Sequence, residues 1–344
     1  MPFRRSGLRA AHRAGVTAVK VFVAGATGAV GRPLVRQLLE AGHEVTGTTR
    51  SAARAAGLER AGARAVVCDA LQAEPLRAAV AAAEPDVVIH QLTALPDRFE
   101  PRKRDLYEPT NRIRIVGTRN LLDAAVAVGA RRMICQSIAF AYAPVGGRVK
   151  EESDRLFSDA PEPFGPGVRA IEGMERAVVG AKRLEGIVLH YGWFYGPGTY
   201  FGEDGSLASK VRRRRYPIVG DGGGLFSFVH VDDAASATVA ALERGQTGIY
   251  NVCDDEPAPL REWCRTTRRP LVPADRGASR AGWRGFSPAR RSPTCPPNCG
   301  EPRTSGRGAS STGTRRGDVA GGVQPRTALT PPRPPGTSCW LRGA

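Results

Sequence analysis

The segment Val21-Phe22-Val23-Ala24-Gly25-Ala26-Thr27-Gly28-Ala29-Val30-Gly31 constrains this chain more than any other. An apolar, β-prone run passes through three glycines at a spacing of three and opens a helical pattern near the start of the chain. Gly25 permits a tight turn, Gly28 lets an anion approach the backbone N–H groups, and Gly31 lets the helix pack closely on the strand. The N-terminus of the helix adds partial positive charge. The stretch from Gly25 through Thr27, Gly28, Ala29 and Val30 to Gly31 is therefore suited to the pyrophosphate of a dinucleotide. A bare glycine pattern often marks an ordinary loop, and the strand before and helix after supply the context that distinguishes this one.

The rest of the chain repeats the same alternation. Strands are expected over Val19–Ala24, Glu44–Thr48, Ala65–Cys68, Asp86–His90, Arg132–Gln136 and Gly186–His190, with helical patterns opening near Val30, Ala52, Pro75, Thr110 and Val168. Pro33 falls in a first helical turn, and Gly42 and Gly129 close helices. This order predicts an α/β fold, a Rossmann-type doubly wound parallel sheet over residues 19–190. After Tyr191 the pattern loosens and becomes richer in Gly, Pro and aromatics, as expected of a small C-terminal substrate-binding lobe over 191–263. A helix, Asp232–Leu242, and a strand, Gly248–Val252, return to the sheet.

The end of the second strand selects between cofactors, because an acid there binds the ribose 2′-OH of NAD and a base accommodates the 2′-phosphate of NADP. Thr48, Thr49 and Arg50 stand at that place, so NADP is expected ahead of NAD. Asp69, after the third strand, is placed either to accept a hydrogen bond from the adenine amino group or to cap a helix.

Taken together, Gly25–Gly31, Cys68-Asp69-Ala70, Asp86–His90, Asn111–Leu122, Tyr195-Gly196-Pro197-Gly198 and Phe228–Asp233 resemble the extended short-chain dehydrogenase/reductases, specifically the NAD-dependent epimerase/dehydratase family, over about 19–263. The resemblance implies an oxidoreductase or epimerase acting on a small carbonyl or sugar-like substrate. It also implies a Tyr and a Lys four residues later on one helix, the cation lowering the phenol pKa so that the Tyr can exchange a proton during hydride transfer. This chain departs from that pattern. None of its seven tyrosines is followed by Lys at the fourth position, and the helix aligned through Glu175 presents Gly167 and Ile171 instead.

Ser137 follows the fifth strand, where the resemblance implies a Ser or Thr that bonds a substrate oxygen; a strand-end Ser bonded internally is the plainer alternative. Asn111 resembles a position that supports the active-site backbone. Tyr191 is the expected replacement acid, with His190 and Tyr195 as further proton-transfer candidates, each also explicable as packing. The rival reading is a non-catalytic NADP-binding redox sensor or regulatory module that kept the fold after losing the pair.

The formal charge of +17 would suggest a nucleic-acid partner if it were spread over the fold. Residues 264–344 hold fifteen Arg, no Lys and three acids, +12 of that total, so the folded part is only mildly basic. This tail, rich in Arg, Pro and Gly, lacks helical or strand periodicity and is expected to be disordered. Its abrupt onset and composition favour a shifted reading frame over a basic functional tail. Residues 1–18, with Arg4, Arg5, Arg9 and Arg13 and no acid, read as a disordered basic extension. Nucleic acid is not the expected partner, and Arg212–Arg215 reads as a solvated helix end or a contact for an anionic substrate. Cys68, Cys135 and Cys253 read as reduced core thiols of a cytoplasmic protein. Cys295 and Cys299 lack the second pair a zinc site needs, and no stretch is apolar enough for a membrane span.

Overall fold

A computed structural model of the chain describes residues 17–98, 105–218 and 220–267. The expectations for residues 1–16, for the tail beyond 267 and for Cys295 and Cys299 lie outside the described residues.

Seven strands form one parallel sheet: β1 (Lys20–Ala24), β2 (Glu44–Thr49), β3 (Arg64–Val67), β4 (Val87–His90), β5 (Arg132–Ile138), β6 (Glu185–Tyr191) and β10 (Gly248–Val252), in the order β10-β6-β5-β4-β1-β2-β3. β-Branched and aliphatic side chains dominate β1, β4 and β6, which are buried on both faces, as a sheet covered by helices requires. The crossovers are α1 (Gly31–Glu40), α2 (Ala52–Arg60), α3 (Ala73–Ala83), α5 (Thr118–Ala127) and α6 (Phe164–Val179). Helix α4 (Glu108–Arg112) runs into α5 through a π-helical turn, Ile113–Gly117. Because the order reverses between β1 and β4, a crevice opens at their carboxyl ends, the usual ligand position in such sheets.

Two apolar clusters flank the sheet. One joins Val21, Val23, Leu34, Leu38, Ile89 and Tyr191 to Val231 and Ala234 of α8 (Val231–Ala240) and to Leu242 just beyond it; the other joins Phe22, Leu76, Val88, Leu121, Met133 and Val178. A third, aromatic cluster builds the smaller lobe from Leu106, Phe201, Leu207 and Phe228, with Tyr107, Trp193, Tyr200 and Trp263 against it. Its elements are β7 (Trp193–Tyr195), α7 (Ser206–Arg212), β8 (Leu225–Phe226), β9 (Phe228–His230), β11 (Ala258–Pro259) and α9 (Leu260–Thr267). The lobe boundary expected after Trp263 falls inside α9, because Cys264 faces inward and is 1% exposed.

Arg132 is the largest departure from a purely apolar interior. Only 5% exposed, it opens β5, pairs with Glu185 and donates to the carbonyls of Ala241 (2.7 Å), Arg244 (3.0 Å) and Gly245 (3.2 Å), so one guanidinium satisfies the C-terminal end of α8. Among the described residues no helix is long and apolar enough to cross a membrane.

Candidate active site

The glycine turn has the shape the sequence demands. Gly25 has φ +92°, and a Cβ there would lie 2.6 Å from the Gln91 carbonyl oxygen at the end of β4. At Gly31 a Cβ would lie 2.2 Å from the Gly25 carbonyl oxygen, so α1 can sit this close to β1 only without a side chain. Gly28 has an open side, since a Cβ there would meet only the Gly25 oxygen, at 3.4 Å. No side chain caps α1 at Val30; the Arg32 N–H donates to the Gly28 carbonyl (3.1 Å) and Pro33 has none, so in the first turn the Gly31 N–H is the group left for an anion. This turn fits a dinucleotide pyrophosphate. Above it lies the loop Tyr195–Thr199, where a Cβ on Gly198 would be 2.4 Å from Arg32 Nη2 of α1.

At the end of β2, Thr48 and Thr49 are buried and Arg50 is exposed; the Thr27 hydroxyl lies 3.4 Å from that of Thr49. Asp69 Oδ1 accepts the Leu71 N–H (3.0 Å), a turn rather than the cap of α3, whose N-cap is Gln72.

The two expected catalytic side chains are both tied inward. Ser137, 5% exposed, donates to Glu175 Oε1 at 2.5 Å. The same oxygen meets His190 Nε2 at 2.8 Å, His190 Nδ1 meets the Tyr142 hydroxyl at 3.0 Å, and Tyr142 donates to Asn251 Oδ1 at 2.8 Å. These five residues form one chain of hydrogen bonds across α6, β5, β6 and β10. Glu175 is the member that sequence reasoning missed, although it served to align α6. A buried carboxylate needs partners, and a Glu inside the apolar face of a helix was the available signal.

Tyr191 requires a correction. It is fully buried in the cluster beneath α8, and its proton is committed: Thr238 donates to the Ala234 carbonyl (2.8 Å), so Tyr191 donates to Thr238 Oγ1 (2.6 Å) while Gln91 Nε2 donates to Tyr191 (3.4 Å). Burial pushes its phenol up to about 12, against the pull of the Thr238 and Gln91 hydrogen bonds. Successive residues of a strand face opposite sides, so His190 and Tyr191 cannot both face a ligand. Tyr195 is also raised to about 12, by burial and then by the carboxyls of Asp254 and Asp233, and it is hydrogen-bonded to Asp254. Arg212–Arg215 are exposed at the end of α7, a solvated helix terminus.

On α6, Gly167 and Ile171 stand one turn apart where the acid–base pair was expected. Ile171 is 1% exposed and packs with Ala141, Tyr142, Leu156 and Val168. A Cβ on Gly167 would make ordinary contacts with Asn111 (3.6 Å) and Arg114 (3.9 Å), which are joined by a 3.1 Å hydrogen bond from Arg114 Nη1 to Asn111 Oδ1.

A family model described as the NAD dependent epimerase/dehydratase family matches residues 21–253. The chain belongs to that family. Among curated relatives, it is 45% identical over 274 residues to a 3-diazoavenalumate denitrifying reductase of a Streptomyces species, covering 77% of this chain and 88% of that protein. It is 27% identical to a 2-alkyl-3-oxoalkanoate reductase of Stenotrophomonas maltophilia, covering 71% of this chain and 73% of the relative. Among solved structures, a Thermus thermophilus UDP-glucose 4-epimerase in complex with NAD matches at 25% identity and TM-score 0.57, over 72% of this chain and 81% of the epimerase.

Proposed function

We propose that this protein is an NADP-dependent reductase of small electrophilic organic acids, removing a diazo group as dinitrogen, rather than an epimerase. The observation that carries this reading is the 45% identity to the denitrifying reductase along 88% of its length. The chemistry of the site agrees with it. Reducing a carbonyl or epimerising a sugar requires a proton to be moved at oxygen, the task of the Tyr and Lys for which this family's helix is known. Here Gly167 and Ile171 occupy that turn, and the phenols near the ends of β5 and β6, Tyr142, Tyr191 and Tyr195, each hold an internal partner.

A diazonium substrate removes the requirement. Replacing its N₂⁺ group by hydrogen consumes one hydride, breaks the C–N bond, forms a C–H bond and releases dinitrogen; charge balances with no proton crossing to the protein. A reduced nicotinamide dinucleotide, when bound, would supply that hydride. The residues of this chain then have to bind, orient and shield. The turn Gly25–Gly31 and the start of α1 would hold the pyrophosphate, Arg50 would pair with the 2′-phosphate, and Asp69 would serve the adenine. Ser137, held by Glu175, stiffens the wall between β5 and α6.

The test supplies NADPH and 4-carboxybenzenediazonium to the purified protein and follows cofactor oxidation together with gas release. The expected result is one dinitrogen and one benzoate for each NADPH. Absence of turnover, with NADPH still bound, would favour the sensor reading instead.

A further inference from the structure

The first turn of α1 carries a positive charge where a helix tolerates it least. Arg32 is the second residue of α1 and no acid stands in that turn, so the partial positive charge of the helix end makes a cation there unfavourable by itself. Arg36, one turn later, is paired with Asp232 (2.8 Å) and Glu40 (3.8 Å). Arg32 is exposed, and among the described residues its guanidinium has neither an ion pair nor a hydrogen bond.

The position of that guanidinium is nevertheless defined by the loop above it. Gly196 (φ +103°) and Gly198 (φ +80°) are both left-handed on either side of Pro197, and the Thr199 hydroxyl closes the turn by donating to the Gly196 carbonyl (2.8 Å). A Cβ on Gly196 would lie 2.5 Å from Nε2 of His230, the residue that caps α8. On Gly198 a Cβ would lie 2.4 Å from Arg32 Nη2 and 3.7 Å from the Cβ of Ala29, within the glycine turn. The loop is thus seated on His230 at one glycine and on Arg32 and Ala29 together at the other. Because Gly198 meets both, the unpaired cation lies beside the mouth of the Gly25–Gly31 turn. That turn needs it: the first turn of α1 leaves the Gly31 N–H alone for an anion, too little to balance a doubly charged pyrophosphate.

We infer that Arg32, held against the Gly196–Gly198 turn, is the cation that pairs with the pyrophosphate of the bound dinucleotide. Gly198 then lacks a side chain because one would displace the guanidinium. This rests on the reading of Gly25–Gly31 as a dinucleotide turn and applies equally to NAD and NADP, which share the pyrophosphate. A guanidinium can take two phosphate oxygens at once, which an ammonium cannot, and an exposed pair of this kind is screened by salt.

The experiment is calorimetric titration of NADP⁺, NAD⁺ and 2′-AMP into the full chain. Arg32→Gln weakens both dinucleotides by the same factor, about tenfold, as loss of one charge-assisted pair requires, and flattens their salt dependence. It leaves 2′-AMP, which has no pyrophosphate, unchanged. Arg32→Lys recovers part of the loss, and Arg36→Gln, which removes the same charge one turn further on, keeps all three affinities. The urea midpoint of Arg32→Gln stays at the parent value, since no internal partner is lost. Unchanged dinucleotide affinity in Arg32→Gln, an equal loss for 2′-AMP, or a loss as large in Arg36→Gln would overturn the inference. Weakening of NADP⁺ alone would overturn it as well, by assigning Arg32 to the 2′-phosphate. If neither dinucleotide binds the unaltered protein, the reading of the glycine turn fails; if they bind regardless of Arg32, only the role of Arg32 fails.

Discussion

Replacing Glu175 by Ala removes the acceptor on which both Ser137 and His190 depend. Glu175 is 4% exposed, Ser137 5% and His190 1%, so water cannot substitute for the lost oxygen. Leaving a buried donor unsatisfied costs about 1–3 kcal/mol, and two donors are stranded, giving about 2–6 kcal/mol. Against a typical domain stability of about 5–15 kcal/mol this leaves a marginal protein. Glu175→Gln keeps one acceptor oxygen in the same volume and is expected to lose about half as much. Urea unfolding at fixed pH is the assay, read as a lower midpoint at unchanged slope. The double variant with Ser137→Ala adds a second reading: the two losses should be non-additive by about 1 kcal/mol, because the same hydrogen bond is counted in each. A Glu175→Ala protein within about 1 kcal/mol of the parent, or strict additivity with Ser137→Ala, would refute the network and return Ser137 to the substrate.

Further outcomes follow from the cofactor turn and from the buried histidine. NADPH is expected to bind at least about tenfold more tightly than NADH, a preference worth about 1.4 kcal/mol, and Arg50→Ala should abolish it; equal affinities by fluorescence titration would remove the argument for NADP. Gly31→Ala forces a Cβ to 2.2 Å from the Gly25 carbonyl and 2.7 Å from the Ala26 carbonyl carbon, so it should lose dinucleotide binding and about 1–3 kcal/mol of stability, measured by titration and urea unfolding. His90, buried at the end of β4, accepts the Leu92 N–H at Nδ1 (3.2 Å) and faces Thr118 through Nε2 (3.0 Å), which holds it neutral. Burial lowers it from 6.5 to about 4, so the unfolded chain binds the extra proton and stability falls as pH drops from 6.5 towards 4, by about 3 kcal/mol. Urea midpoints across that range should be flatter in His90→Gln, and an unchanged slope would show that His90 is not the group responsible.

Much of the fold was legible because its signals are local and repeated. The run into Gly25, the glycines that end helices and the alternation of strand and helix each have a physical cause within a few residues, and the strands observed differ from those expected by one or two positions. What the sequence hid depends on which face a residue takes. The strand Glu185–Tyr191 is apolar on both sides, so periodicity could not tell whether His190 or Tyr191 faces the crevice, and Tyr191 turned out to lie under α8. Arg114 was invisible for a different reason. A straight 3.6-residue count from Glu108 to Ala127 does not anticipate the π-turn that brings a charged side chain inward and turns Ile115 outward. Cys264 was assigned to the tail because the composition changes beside it, yet its helix still packs on Phe201 and Phe228.

The most direct measurement uses NADPH deuterated at the transferring carbon of the nicotinamide, with 4-carboxybenzenediazonium as substrate. The account predicts benzoate carrying deuterium at the carbon that bore nitrogen, with one dinitrogen released for each deuteride consumed. Dinitrogen release without deuterium in that position, or transfer of label only to a carbonyl substrate, would contradict it.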